Sequence, residues 1–269
     1  MSFETIELIT EPPWATIRLN RPDRMNAVIE GMYLEIQTAL AEVRDDPRIR
    51  SVIVTGSVLR RDGIEKQAFC AGADLKAHSS AGRGPEQRRQ YVLLAHETVR
   101  QIYEFPRPVI AAVNGPARGA GTEMALACDF LLMAEDATLA LPEIGLGTFV
   151  GGGVTYILPR QIGLTRAKQL IYTGKVLGGR AAVELGLALA CFPLSRLLDE
   201  SQELARTLAE KAPISVSMAK RHLQRAPDLN FVTALQREAE AILTCMNTED
   251  WREGLRAFAE KRRPRFTGK

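Results

Sequence analysis

The chain reads as an α/β protein: strands joined by right-handed helical crossovers, with a helical C-terminal portion. Three observations predict this. Short apolar runs rich in Val and Ile, such as Ser51 to Thr55 and Pro108 to Val113, have the length of buried strands. Longer stretches between them carry apolar residues at helical spacing, so the first two-thirds repeat a strand–strand–helix theme. From Thr165 onward the pattern is helical almost throughout.

Residues 5–20 place Ile6 and Leu8, then Ala15, Ile17 and Leu19, in alternation around Glu11-Pro12-Pro13, which predicts a hairpin closed by Asn20-Arg21-Pro22. Ile36, Leu40 and Val43 predict an amphipathic helix over 30–44. Residues 57–67 are polar and predict a surface loop, and residues 76–90 lack periodicity and predict a mobile one. Val92, Ala95, Val99 and Ile102 mark a helix stopped by Pro106 and Pro108. Strands follow at Phe130 to Ala134 and Ala137 to Leu141. Thr165 is the expected N-cap and Gly174 the expected stop of the next helix. Three further helices carry Leu197, Leu204 and Leu208; Val216, Ala219 and Leu223; and Phe231, Leu235, Ile242 and Met246. Such a tail can pack on its own core or on another subunit.

The chain is organised around residues 108–129. A Val/Ile-rich strand is broken by Asn114-Gly115-Pro116, Gly119-Ala120-Gly121 follows with almost no side chains, and a helix opens with Glu123 in its first turn. Strand, bare turn and helix leave backbone N–H groups unpaired and let a ligand approach them closely. A carboxylate just beyond the turn completes what oxyanion stabilisation with acid–base chemistry requires. FCAGADL at 69–75 is a second cluster of small residues, and Gly72-Ala73 can supply a second N–H. Glu143 follows a strand beside Gly145 and Gly147, so two carboxylates near one pocket can divide acid and base roles. Either glutamate alone reads as ordinary surface charge.

Composition excludes several classes. Of 269 residues 46% are hydrophobic and 25% charged, the balance of an ordinary soluble globular protein. A net charge of +3 is too small to argue for nucleic acid or membrane. Cys70, Cys128, Cys191 and Cys245 lack paired spacing and read as reduced thiols in a cytoplasmic protein. No signal peptide or membrane-length apolar run is visible. Gly119-x-Gly121-x-x-Met124 fails as a dinucleotide fingerprint because Met124 is not small. His96 lacks the second histidine of a zinc helix, His78 and His222 have no partners at ligand spacing, and no Gly-x-Ser-x-Gly elbow exists, so no metal site is expected. Lys261-Arg262-Arg263 reads as a solvated charge cluster or, beside Pro264, as a contact for a ligand's phosphate.

Taken together, Asn20-Arg21-Pro22 with Asn26-Ala27, FCAGADL at 69–75, AAVNGPARGAGTEMALACD at 111–129, LPEIGLG at 141–147, Thr173-Gly174 and Phe258 to Arg262 resemble the crotonase, or enoyl-CoA hydratase/isomerase, superfamily nearly end to end. The resemblance implies a spiral of ββα units over residues 1–195 carrying the site, and a helical region over 196–269 that mediates homotrimers or homohexamers. It implies an acyl-CoA substrate, with coenzyme A entering as part of that substrate and no resident cofactor. The oxyanion donors would be the N–H groups of Ala73 and Ala120. Met25, Ala27, Ala71, Gly72, Asp74, Leu75 and Gly151 would line the substrate. The implied reaction is syn addition of water across the 2,3 double bond of a trans-2-enoyl-CoA, Glu123 activating the water and Glu143 serving C2. Glu123 at a helix start is expected to stay ionised, and Leu141, Ile144 and Leu146 to give Glu143 an apolar setting. An enoyl-CoA isomerase, or a hydratase of branched or aromatic acyl-CoA in a degradation pathway, is the neighbouring alternative. An RNA-binding protein of the same fold is a remoter one. The chain departs from the family pattern at Val150, where Pro is usual, at Ala120, where Gly is usual, and in the longer segment 57–67.

Overall fold

The computed structural model describes residues 3–61, 64–76, 82 and 84–269. The chain opens with the antiparallel hairpin β1 (Ile6–Glu11) and β2 (Trp14–Leu19), Ile6 facing Leu19. Helix α1 (Glu30–Asp45) buries Met32, Tyr33, Ile36, Ala39, Leu40 and Val43, the stripe its sequence period predicts. Strand β3 (Ser51–Gly56) leads to a second hairpin, β4 (Val58–Arg61) and β5 (Ile64–Gln67), and then to helix α2 (Pro85–Tyr103). After β6 (Val109–Val113) and β7 (Ala117–Arg118) come helix α3 (Ala120–Ala127), β8 (Phe130–Ala134) and β9 (Thr138–Ala140). Helices α4 (Val154–Ile162) and α5 (Leu164–Thr173), strand β10 (Leu177–Gly178), helix α6 (Gly179–Glu184) and strand β11 (Ala190–Phe192) follow. Four helices end the chain: α7 (Leu194–Ala209), α8 (Pro213–Arg225), α9 (Phe231–Met246) and α10 (Glu249–Ala259).

The main sheet has the order β1-β2-β3-β6-β8-β11 and is parallel from β2 onward. Every residue of β3 and β6 is buried, which is why these strands read as unbroken apolar runs rather than alternating ones. A smaller sheet, β10-β9-β7, stands at the turn between β6 and α3. Helix α7 lies on the main sheet through Leu197, Ser201 and Ala205, whereas α9 buries none of its residues.

Several expectations need correction. The polar segment 57–67 is a hairpin rather than a loop, because its paired backbone satisfies the chain where no apolar pattern announces it; residues 62–63 lie outside the described residues. Helix α2 begins at Pro85, inside the segment expected to be a mobile loop, with Pro85 at the first helical position and a Gln87 side chain accepting from the Gly84 N–H. The remainder of that expectation, residues 77–81 and 83 including His78, lies outside the described residues. Gly163, not Thr165, stands at the start of α5. Helix α4 fills a stretch the pattern leaves unassigned, where nine residues containing Pro159 are too few to establish a period. The short strands β10 and β11 interrupt the nearly continuous helix expected after Thr165. Among the described residues, no helix is long and apolar enough to cross a membrane.

One buried ion pair fastens the C-terminal helices to the sheet. Asp129 Oδ2 accepts from the Val109 N–H at 2.7 Å and from Lys220 Nζ of α8 at 2.7 Å, and Lys220 also donates to the Arg107 carbonyl. Removing one partner strands a charge, so Lys220→Met is expected to cost about 3–5 kcal/mol in urea unfolding. A loss below about 1 kcal/mol would show that water reaches Asp129 freely.

Candidate active site

Three segments converge. An isolated parallel bridge joins Val28 to Ala73: the Val28 N–H donates to the Gly72 carbonyl at 2.8 Å, and the Asp74 N–H to the Val28 carbonyl at 3.0 Å. The Ala71 N–H adds a bond to the Met25 carbonyl, so segments 25–28 and 71–74 run side by side. Met25 and Asn26 sit in the left-handed region at φ 50° and 55°. Asn26 is buried, its carbonyl accepting from Ser57 Oγ and its amide donating to the Ser57 and Ala68 carbonyls, which offsets that backbone cost. Arg21 pairs with Asp74 and donates to the Ala27 carbonyl, clamping the same corner.

The third segment is the turn into α3. Cys70 bridges Ala117, and the Arg118 N–H donates to the Cys70 carbonyl at 2.9 Å. A Cβ on Gly121 would stand 2.3 Å from the Cys70 oxygen, and one on Gly72, whose φ is +92°, would stand 2.7 Å from the Arg118 oxygen. Glycine is obligatory at both positions. The same hypothetical carbon on Gly72 would lie 3.8 Å from the Ala120 nitrogen, so the two small-residue loops meet at the start of α3. Neither the Ala73 nor the Ala120 N–H donates a hydrogen bond among the described residues. Ala120 is the first residue of its helix, where the N–H has no intrahelical acceptor.

The carboxylates flank this turn. Glu123 is buried in the first turn of α3, and its Oε1 accepts from the Gly151 N–H at 2.7 Å. Glu143 opens a 3-10 turn, Glu143–Leu146, and is also buried; its Oε1 is 2.6 Å from the place a Cβ on Gly119 would occupy. Its Oε2 is buried without a hydrogen-bond partner among the described residues. The structure thus gathers Glu123, Glu143, Ala120 and Gly151 about one turn and brings Met25, Ala27, Ala71, Gly72, Ala73 and Asp74 alongside it. Leu75 is exposed beyond them. Among the described residues no cluster of three His, Cys, Asp or Glu could hold a metal ion.

A family model described as enoyl-CoA hydratase/isomerase matches residues 13–269. The crotonyl-CoA hydratase of Syntrophomonas wolfei is 36% identical over 269 residues, with 100% of both chains covered. The chain belongs to the enoyl-CoA hydratase/isomerase family. The short-chain-enoyl-CoA hydratase of Clostridium acetobutylicum is 32% identical, covering 98% of this chain and 97% of that one. A crystal structure of an enoyl-CoA hydratase from Bacillus anthracis superposes with a TM-score of 0.92 at 38% identity, covering 99% and 100% of the two chains. The protein is therefore an enzyme with the crotonase fold.

Within this family fold burial acts on both carboxylates, and the apolar setting expected of Glu143 is only partly present. Burial pushes the Glu123 carboxyl up, and the Gly151 N–H opposes part of that rise. Burial also raises Glu143, and the nearby charge of Glu123 adds to that, but Ile144 and Leu146 point outward and Leu141 alone of the three is buried. The sequence assigns no site role to Arg21, which pins Asp74, or to His96, whose Nε2 would be 3.1 Å from a Cβ on Gly151. Arg21 sits in a motif already noted for its turn; His96 carries no local signal, because α2 reaches the site only through the tertiary fold.

Glu123→Gln keeps an acceptor for the Gly151 N–H and removes a buried charge. In the unfolded chain Glu123 ionises near the ordinary value of 4.5, and in the folded chain at a higher pH. The carboxylate therefore costs stability progressively as pH rises between those two values, and in full above them. Thermal unfolding is expected to show equal stability of the two forms near pH 4 and a higher Tm for the variant at pH 8. A lower Tm for the variant at pH 8 would contradict the account.

Proposed function

We propose that the chain adds water across the 2,3 double bond of a trans-2-enoyl-CoA to give a 3-hydroxyacyl-CoA. The observation carrying this reading is the placement of two buried carboxylates on either side of a turn whose first helical N–H is unpaired. The N–H groups of Ala73 and Ala120 hold the thioester oxygen, and the donors strengthen their grip as attack at C3 turns the thioester into an enolate. Losing one such donor costs about 10²–10³ in rate in comparable sites. Glu123 takes a proton from the water as its oxygen bonds to C3, and Glu143 delivers a proton to C2 as the enolate collapses. Burial that raises a carboxyl makes its carboxylate a better proton acceptor than a free one. The resemblance between this sequence and hydratases that carry both glutamates supports hydration over double-bond migration. Residues 25–27 and 71–75 line the coenzyme A path, and no resident cofactor takes part.

The exposed apolar side chains of α9 and α10, Phe231, Val232, Leu235, Ile242, Leu243 and Phe258 among them, support the reading that this region packs between subunits of a homotrimer or homohexamer. Sedimentation equilibrium is expected to give three or six chains; a monomer would contradict this.

Crotonyl-CoA is expected to lose the absorbance of its conjugated enoyl thioester and yield 3-hydroxybutyryl-CoA. Glu123→Gln and Glu143→Gln are each expected to reduce kcat by about 10²–10⁴ while remaining folded. A shifted double bond in place of a hydroxyl would transfer the assignment to isomerisation, and near-normal turnover of either variant would remove the two-carboxylate mechanism.

A further inference from the structure

His96 lies on the face of α2 that also carries the buried Val99 and Ile102, yet its own side chain is exposed. Among the described residues it makes no hydrogen bond or ion pair. Its Nε2 and Glu123 Oε2 would each stand 3.1 Å from a Cβ at Gly151, and Glu123 Oε1 would stand 3.3 Å from it. That shared point brings the imidazole and the uncommitted carboxylate oxygen together on one side of Gly151, where a water can serve both. A larger residue at 151 would press a carbon between the imidazole and the carboxylate. The neighbouring polar groups are accounted for. Glu123 Oε1 is committed to the Gly151 N–H, while burial pushes the Tyr33 hydroxyl up and the Cys70 thiol up to about 12, so both stay neutral.

We propose that His96 is a third polar group of the hydration centre, holding with Glu123 Oε2 the water that attacks C3. The inference rests on the hydration reading and adds a residue to it. The water gives one proton toward Glu123, accepts the Nε2–H of His96 through one lone pair, and keeps the other lone pair for carbon. The imidazole neither gains nor loses a proton in the step; it narrows the orientations open to the water.

The test compares wild type, His96→Leu and His96→Gln on crotonyl-CoA, with Glu123→Gln as the control for the underlying reading. Leucine fills similar space without a donor, whereas the glutamine amide nitrogen can reach the place of Nε2. His96→Leu is expected to lower kcat about tenfold, the worth of one lost hydrogen bond, with KM changed less than twofold. His96→Gln is expected to recover most of that loss, and both are expected to unfold at the wild-type temperature. Unchanged kcat in His96→Leu, a loss confined to KM, or equal loss in both variants would overturn the role of His96. If Glu123→Gln is inactive in the same series, the hydration reading stands regardless. A wild type that hydrates no trans-2-enoyl-CoA, whether crotonyl, longer, branched or aromatic, overturns both.

Discussion

The site depends on how closely two stretches of bare backbone approach one another. Cys70 to Ala73 and Ala117 to Gly121 lie so near that side chains are excluded: a single carbon on Gly121 would collide with the Cys70 carbonyl, and one on Gly72 with that of Arg118. That exclusion leaves the amides of Ala73 and Ala120 without acceptors among the described residues. It also explains why β7 is only two residues long and why α3 begins abruptly: the chain must turn before a side chain can intervene. The turn is locked from outside, the Gly119 N–H and Thr122 Oγ1 both donating to the Ala140 carbonyl of β9.

A second constraint is electrostatic. Two buried carboxylates face one region with few donors, Glu123 held by one N–H and Glu143 with an oxygen lacking any partner among the described residues. Such an arrangement costs folding free energy, since burial opposes the charged form and the two groups disfavour each other's ionisation. The remainder of the fold offsets it, through the wholly buried strands β3 and β6 and the Asp129–Lys220 anchor. Strain of this kind gathers where proton transfer is to happen, in keeping with the acid–base chemistry proposed here.

Much of this was legible in the sequence because its causes are local. The fully buried strands announce themselves as Val/Ile runs, α1 by the spacing of Ile36, Leu40 and Val43, and the central turn by Gly119 and Gly121. The cluster FCAGADL at 69–75 marks the second small-residue loop in the same way. What escaped reading has non-local causes. The hairpin β4–β5 is held by backbone pairing between polar residues, and β10 and β11 are too short to show a pattern. His96 reaches the site only because α2 packs beside α3. The outward direction of Ile144 and Leu146 is likewise set by the 3-10 turn that follows Pro142 rather than by their apolar character.

The account stands on two backbone amides gripping one thioester oxygen. A crystal structure of the protein with a bound 3-hydroxyacyl-CoA tests it most directly. The account predicts the thioester oxygen about 2.7–3.1 Å from both the Ala73 and Ala120 nitrogens, with the 3-hydroxyl beside Glu123. A thioester oxygen bonded to neither nitrogen, or a 3-hydroxyl turned away from both glutamates, would contradict it.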